Sequence, residues 1–155
     1  MTSMSTTKSQ GTENLEIMAE AKNYNAWLLA MIWDAIAGKH RVLDFGAGTG
    51  QFALPIARAG RSVVAVEPEE RTRRLLVDGG LEVHADLSAI PDQSIDAVYT
   101  LNVLEHIFDD LAALHQLRRC LKPGGVLFIY VPAFMLLSPQ WIGAWARFAD
   151  MGESC

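Results

Sequence analysis

Two cysteines stand among the 155 residues, Cys120 and Cys155, with no CxxC or zinc-ligand spacing. A disulfide framework is excluded as the source of stability, and a reducing, cytoplasmic setting is the expectation. Basic residues are also few. Thirteen Lys and Arg against 18 Asp and Glu leave a net charge of -5. That balance excludes a nucleic-acid backbone as the main partner, because binding phosphates takes a dense cationic surface. The one local cluster, Arg71, Arg73 and Arg74, reads as the solvated face of a helix. No run of about 18 apolar residues occurs, so no membrane span is expected. The opening MTSMSTTKSQGTEN has no apolar core, so it does not read as a signal peptide.

Half of the residues are apolar and a fifth are charged, enough for one buried core. Residues 1–13 are rich in Ser, Thr, Gln and Gly and read as a disordered tail. From Leu15 to Ala37 the pattern is helical, with Tyr24, Trp27, Leu28, Met31, Ile32 and Ala35 at spacings of three and four. Trp27 and Met31 are expected to pack inward, and Gly38 to cap the helix. Short apolar runs then alternate with helices. Strands are expected at Arg41–Phe45, Ser62–Val66, Leu81–Ala85, Ile95–Leu101 and Val126–Val131. Helices are expected at Phe52–Ala59, Glu69–Asp78 and Leu104–Leu121, with Lys122-Pro123-Gly124-Gly125 breaking the last. This alternation is the mark of a parallel sheet covered on both faces. The single domain is expected to span residues 14–132, followed by an apolar tail over 133–155.

Arg41–Phe45 runs straight into Gly46-Ala47-Gly48-Thr49-Gly50 and then a helix. Glycines there allow a sharp turn and a close approach of backbone to ligand. Glu67 stands 17 positions after Gly50, at the end of the second strand. A carboxylate so placed offers two acceptor oxygens to a ribose diol. Asp86, after the third strand, is suited to accept from an adenine amino group with Leu87 beside the ring. The competing reading of Asp86 is a turn cap for Leu87-Ser88. Gln51 occupies the last position of the dinucleotide fingerprint, which disfavours a nicotinamide-dependent oxidoreductase. No GKS or GKT follows, so the Walker loop is absent.

Four blocks resemble the class I S-adenosylmethionine-dependent methyltransferases of the small-molecule type. They are Val42 to Gly50, Val63 to Pro68, Ile95 to Ile107, and Leu121 to Leu127. The resemblance implies a Rossmann-like doubly wound parallel sheet of order 3-2-1-4-5, without the family's final antiparallel hairpin, and S-adenosylmethionine as cofactor. It implies that Asp44 and the backbone of Gly46, Ala47 and Gly48 face the methionine end, that Glu67 holds the ribose, that Asp86 and Leu87 flank the adenine, and that Asn102 lies near the sulfonium. His106 is a weak candidate for a general base, weaker than its reading as part of a helix start. Asn102, Glu105 and His106 are similar to the metal-binding pattern of some relatives, but Asn stands where a carboxylate would, so no metal is expected.

The expected function is methyl transfer to a small-molecule acceptor. The alternative is a cofactor-binding pseudoenzyme or a truncated fragment without turnover. Residues 133–155 show no hairpin pattern, which suggests a truncated or frameshifted end. The fifth strand would then be an apolar edge open to homodimer pairing.

Overall fold

In a computed structural model, residues 10–131 are described, with side chains from residue 21 onward. The chain divides into two compact units, Met1–Asp34 and Ala35–Cys155. The first unit holds nearly all of helix α1, Gln10–Ala35, so the helix begins within the stretch read as a tail. Leu28 and Ile32 are its buried positions, while Trp27 is 50% exposed and stacks obliquely on Tyr24 at 6.0 Å. The buried positions 28 and 32 thus form an i, i+4 pair on one side of the helix, and Trp27 lies off it.

The second unit is an α/β sheet. Its elements are β1 (Arg41–Phe45), α2 (Ala53–Arg58), β2 (Ser62–Val66), α3 (Glu70–Asp78), β3 (Glu82–His84), β4 (Ile95–Leu101), α4 (Asp110–Cys120) and β5 (Leu121–Tyr130). The five strands lie in the order β3-β2-β1-β4-β5, all parallel, as expected. β1, β2 and β4 begin and end where the sequence places them, because continuous β-branched and apolar runs suit strands covered on both faces. One face is a cluster of Leu43, Val64, Val66, Val98 and the α4 residues Leu117 and Cys120. Asp44, one position on from Leu43, takes the opposite face with its register partner Tyr99.

Two further stretches differ from expectation by more than a residue at an end. The segment read as one helix from Leu104 to Leu121 is a 3-10 turn at Leu104–His106, then an extended Ile107, then α4. Asp109 caps α4 by accepting from the Ala112 N–H at 2.9 Å, which fixes the later start. The segment Lys122–Gly125 lies within β5 as a bulge. Ile95 pairs Leu121 and Ala97 pairs Val126, so Asp96 alone opposes the four residues between them. The far edge of β5 has no strand partner among the described residues. The expected missing hairpin, the tail over 133–155 and residues 1–9 lie outside the described residues.

Asp96 ties this end of the sheet together. Its carboxylate accepts from the N–H groups of Arg41 (2.8 Å) and His40 (3.2 Å) and from the Lys122 ammonium at 2.6 Å. The Arg41 and His40 amides and Lys122 hold its pKa down at about 2. A depressed carboxylate stabilises the fold above its ordinary value of 3.8, and that contribution is lost as pH falls through about 2. Asp96→Asn is expected to cost about 1–2 kcal/mol at pH 7. In urea titrations the gap between variant and wild type should close between pH 4 and pH 2; a gap independent of pH would count against this role.

Candidate cofactor site

A cleft of about 420 Å³ opens where β1, β2 and β4 end. This is the expected place for a ligand in an open parallel sheet. A larger hollow of about 720 Å³ lies near the start of β5, lined in part by Arg118, Arg119 and Lys122. Its position is beside the carboxyl-terminal end of α4, which carries partial negative charge. Arg119 and Lys122 are already paired with Asp92 and Asp96. The smaller cleft is therefore the better site.

The glycine turn forms one wall. Gly46, Gly48 and Gly50 all have positive φ, at 81°, 52° and 82°, a region costly for residues with a Cβ. The three glycines differ in what surrounds them. A Cβ on Gly46 would meet Val103 at 2.3 Å, and one on Gly50 would meet Leu76 at 2.7 Å. Only Gly48 faces open space. Two of the glycines thus admit neighbouring side chains, and one leaves room at the surface. The amides of Gly46 and Ala47 both donate to the Val66 carbonyl, at 2.9 and 3.1 Å. The Gly48 amide donates to Glu67 Oε2 at 2.9 Å.

Glu67 lines the cleft and is 9% exposed. Its second oxygen accepts from the Glu69 N–H at 3.0 Å. Each oxygen retains a further acceptor position. Arg73 reaches back to the carbonyls of Glu67 (3.0 Å) and Pro68, so it braces this strand end rather than serving only as solvated surface. Asn102 follows β4 at φ 54°, and its N–H donates to Tyr130 O at 2.9 Å. Asn tolerates this conformation better than other non-glycine residues. His106 and Val103 also line the cleft.

Of the residues proposed from sequence, Gly46, Glu67, Asn102 and His106 come together around this cleft, with Ala85 marking its β3 side. Ala47, Gly48, Asp44, Asp86 and Leu87 are not among its lining residues. Asp86 caps the 3-10 turn Leu87–Ala89, with Oδ1 accepting from the Ser88 N–H at 2.8 Å and from the Ser88 hydroxyl. The turn-cap reading of Asp86 is thus seen directly. Leu87 is 7% exposed and packs in the core with Val66 and Ile90. Its side chain serves the core rather than the rim of a ring site. His84 pairs with Glu82 on β3, and His115 is exposed on α4. Among the described residues, no group of three or more His, Cys, Asp or Glu is placed to hold a metal ion.

Asp44 differs most from expectation. It is 4% exposed, and its carboxylate accepts the Tyr99 hydroxyl at 2.8 Å. Alternation along β1 puts it on the Tyr99 face of the sheet, away from the Phe45 side chain that lines the cleft. Neither the pairing nor the burial is legible in sequence, because the partners stand 55 positions apart.

The comparisons with known proteins bear on this geometry. A family model described as a methyltransferase domain matches residues 16–155. The chain belongs to this family, the class I S-adenosylmethionine-dependent methyltransferases. The match takes in residues 133–155, which read as atypical in sequence. A ubiquinone biosynthesis O-methyltransferase of Methylocella silvestris is 30% identical over 122 residues, covering 68% of this chain and 48% of the relative. A demethylmenaquinone methyltransferase of Clavibacter sepedonicus is 39% identical over 102 residues, covering 61% and 41%. The chain spans about half the length of these curated relatives. Among solved structures, an S-adenosylmethionine-dependent methyltransferase of Thermotoga maritima, a possible histamine N-methyltransferase, superposes with a TM-score of 0.60 at 22% identity, over 84% of this chain and 66% of that one. The cyclase SpnF also superposes at 0.60, with 25% identity, over 66% and 43%. No helix among the described residues is long and apolar enough to cross a membrane.

Burial pushes Asp44 up to about 7, against the lowering effect of the Tyr99 hydroxyl and with a further rise from Glu67. A raised carboxylate favours the fold while it is protonated. Its contribution is fully present below the ordinary 3.8 and is lost as pH rises through about 7. Asp44→Asn keeps an acceptor for Tyr99 without the charge. Its melting temperature should exceed that of wild type by several degrees at pH 8 and by little at pH 5. Equal differences at both values would show that Asp44 does not titrate in this range.

Proposed function

We propose that this chain binds S-adenosylmethionine in the cleft beside Glu67 and transfers its methyl group to a small-molecule acceptor. The observation that carries the reading is the Glu67 carboxylate, held at the mouth of the cleft with one acceptor position free on each oxygen. That is the requirement for gripping a vicinal diol. The Oδ2 oxygen of Asp86 has no partner among the described residues, so it is free to accept from an adenine amino group. Asn102 brings a polar side chain to the β4 side of the cleft. When bound, the cofactor supplies an electrophilic methyl group on a sulfonium.

The chain's own task is then to orient an acceptor in line and keep water away. Among the described residues no Lys or Arg lines the cleft, which favours a neutral acceptor over a carboxylate or phosphate. The names of the two curated relatives, a ubiquinone biosynthesis O-methyltransferase and a demethylmenaquinone methyltransferase, support a neutral ring compound. His106 is exposed at the cleft, and its ring has no partner among the described residues. In this reading it takes the proton that an acceptor hydroxyl or amine must lose.

Titration calorimetry with S-adenosylhomocysteine tests the cofactor reading. Wild type should bind. Glu67→Ala should weaken binding by about 100-fold, the scale of two charge-assisted hydrogen bonds. Unchanged affinity would remove Glu67 from the site, and no binding by wild type would sink the reading.

His106→Ala should leave that affinity within about twofold while lowering kcat on a neutral phenolic acceptor by about 100-fold. An equal loss in cofactor affinity and turnover would assign His106 to binding. The second reading, a cofactor-binding protein without turnover, is favoured by the superposition on SpnF, a fold relative named for cyclisation rather than methyl transfer. Tight cofactor binding with no transfer to any hydroxylated or aminated ring would support it.

A further inference from the structure

Arg119 lies near the end of α4 and is absent from the cofactor cleft. Its guanidinium nevertheless reaches the segment that carries Asp86. Nη2 donates to the Leu87 carbonyl at 2.8 Å, and Nη1 donates to the Ile90 carbonyl at 2.9 Å and to the Asp92 carboxylate. Nε is held in turn by Gln116 Oε1 at 2.9 Å. The backbone repeats the attachment, with the Gln93 N–H donating to the Arg119 carbonyl and the Ser94 N–H to the Cys120 carbonyl, both at 2.9 Å.

Leu87 and Ile90 bracket the single 3-10 turn that Asp86 caps. Both side chains are buried in the core, at 7% and 1% exposure. One planar fork therefore fastens both ends of this turn to α4. Only arginine supplies parallel donors in fixed geometry for two carbonyls and a carboxylate at once; a lysine ammonium is a single point of attachment. Asp86 itself has little else to hold it. It is exposed, and its only hydrogen-bond partner among the described residues is Ser88, within the same turn. The direction of its unpartnered Oδ2 follows the orientation of the turn, and that orientation follows Arg119.

We propose that Arg119 is a positioning residue for the cofactor's purine: by clamping the Leu87 and Ile90 carbonyls it aims Asp86 at the adenine amino group, so that base discrimination depends on a side chain that never touches the ligand. The proposal rests on the cofactor reading above. It adds a source of specificity at a residue that does not line the cleft.

The test compares two ligands by calorimetry on the full chain, S-adenosylhomocysteine and S-inosylhomocysteine, which carries an oxo group in place of the amino group. Wild type should prefer the adenine compound by about tenfold or more, the scale of one hydrogen bond to a charged group. Asp86→Ala should bring the ratio close to one. Arg119→Met should bring it to within about threefold of Asp86→Ala, and the double variant should show no further loss, since the two residues act through one contact. A merely structural role would lower the melting temperature or weaken both ligands alike and leave the ratio at its wild-type value; that result overturns the proposal. Should Arg119→Met fail to fold, Arg119→Lys decides the matter: a reduced ratio supports the clamp, and a wild-type ratio overturns it. Wild type binding both compounds equally would overturn the proposal while leaving the cofactor reading standing. Wild type binding neither would remove both.

Discussion

The three amides of Gly46, Ala47 and Gly48 must find acceptors just where β1 stops being a strand, and the rest of the site depends on where they find them. The β1–β2 register ends at Phe45 and Val66. The next two amides converge on the Val66 carbonyl, and the third takes Glu67 Oε2. Only residues free to adopt positive φ can turn the chain tightly enough to do this. The turn is thus satisfied from within before any ligand arrives. Glu67 carries two duties in consequence. It completes the hydrogen bonding of the glycine turn, and its remaining acceptor positions face the cleft. A change at Glu67 therefore acts on the wall of the site and, in the proposed reading, on a ligand contact together.

The β4 side is built on a second constraint that meets the first. Asn102 leaves β4 in the left-handed region and is tied to Tyr130 on β5. That turn brings Val103 over Gly46, close enough that no Cβ fits between them. Strain held at one residue is tolerated where neighbours over-determine it. Here the neighbours are the Tyr130 carbonyl on one side and the Val103 contact on the other. The cleft is therefore a junction of three strand ends, each held by a contact to another strand. β5 takes part although none of its residues lines the cleft.

Much of this was legible in the sequence, and the exceptions have physical causes. Ser62–Val66 reads correctly because Val63–Val66 is the unbroken apolar run that a strand buried on both faces needs, and Ile95–Leu101 because only Asp96 and Thr100 interrupt its apolar residues. Glu67 and Asn102 both line the cleft because each directly follows a strand that ends there. The leucines of the Leu104–Leu121 segment suggested one helix. Their spacing records which side chains face the core, and an extended residue at Ile107 can preserve that without helical continuity. Lys122–Gly125 looked like a terminator because Pro and Gly stop both helices and strands. A bulge also uses them, and only the pairing of Ile95 with Leu121 distinguishes the two. Asp44 and Tyr99, like Arg119 and the Leu87 carbonyl, are joined by register and tertiary approach, which leave no mark at short range.

Leu87 shows why a motif position and a contact are different things. A residue after the third strand can serve a ligand through its side chain or through the shape it gives the chain, and spacing alone does not separate these. Leu87 is buried, so its side chain anchors the turn in the core while its carbonyl is gripped by Arg119. Asp86 is left exposed at the head of that anchored turn. Gly46 divides in the same way: its missing Cβ is required by Val103, while its amide is spent on Val66. In this fold the glycines of the turn act largely by fixing backbone, and in the proposed reading the side chains of Glu67, Asn102 and His106 at the cleft carry the chemistry. A small number of exchangeable groups on a common frame would then set the reaction. This accounts for how a protein named for cyclisation and proteins named for methyl transfer can share the frame.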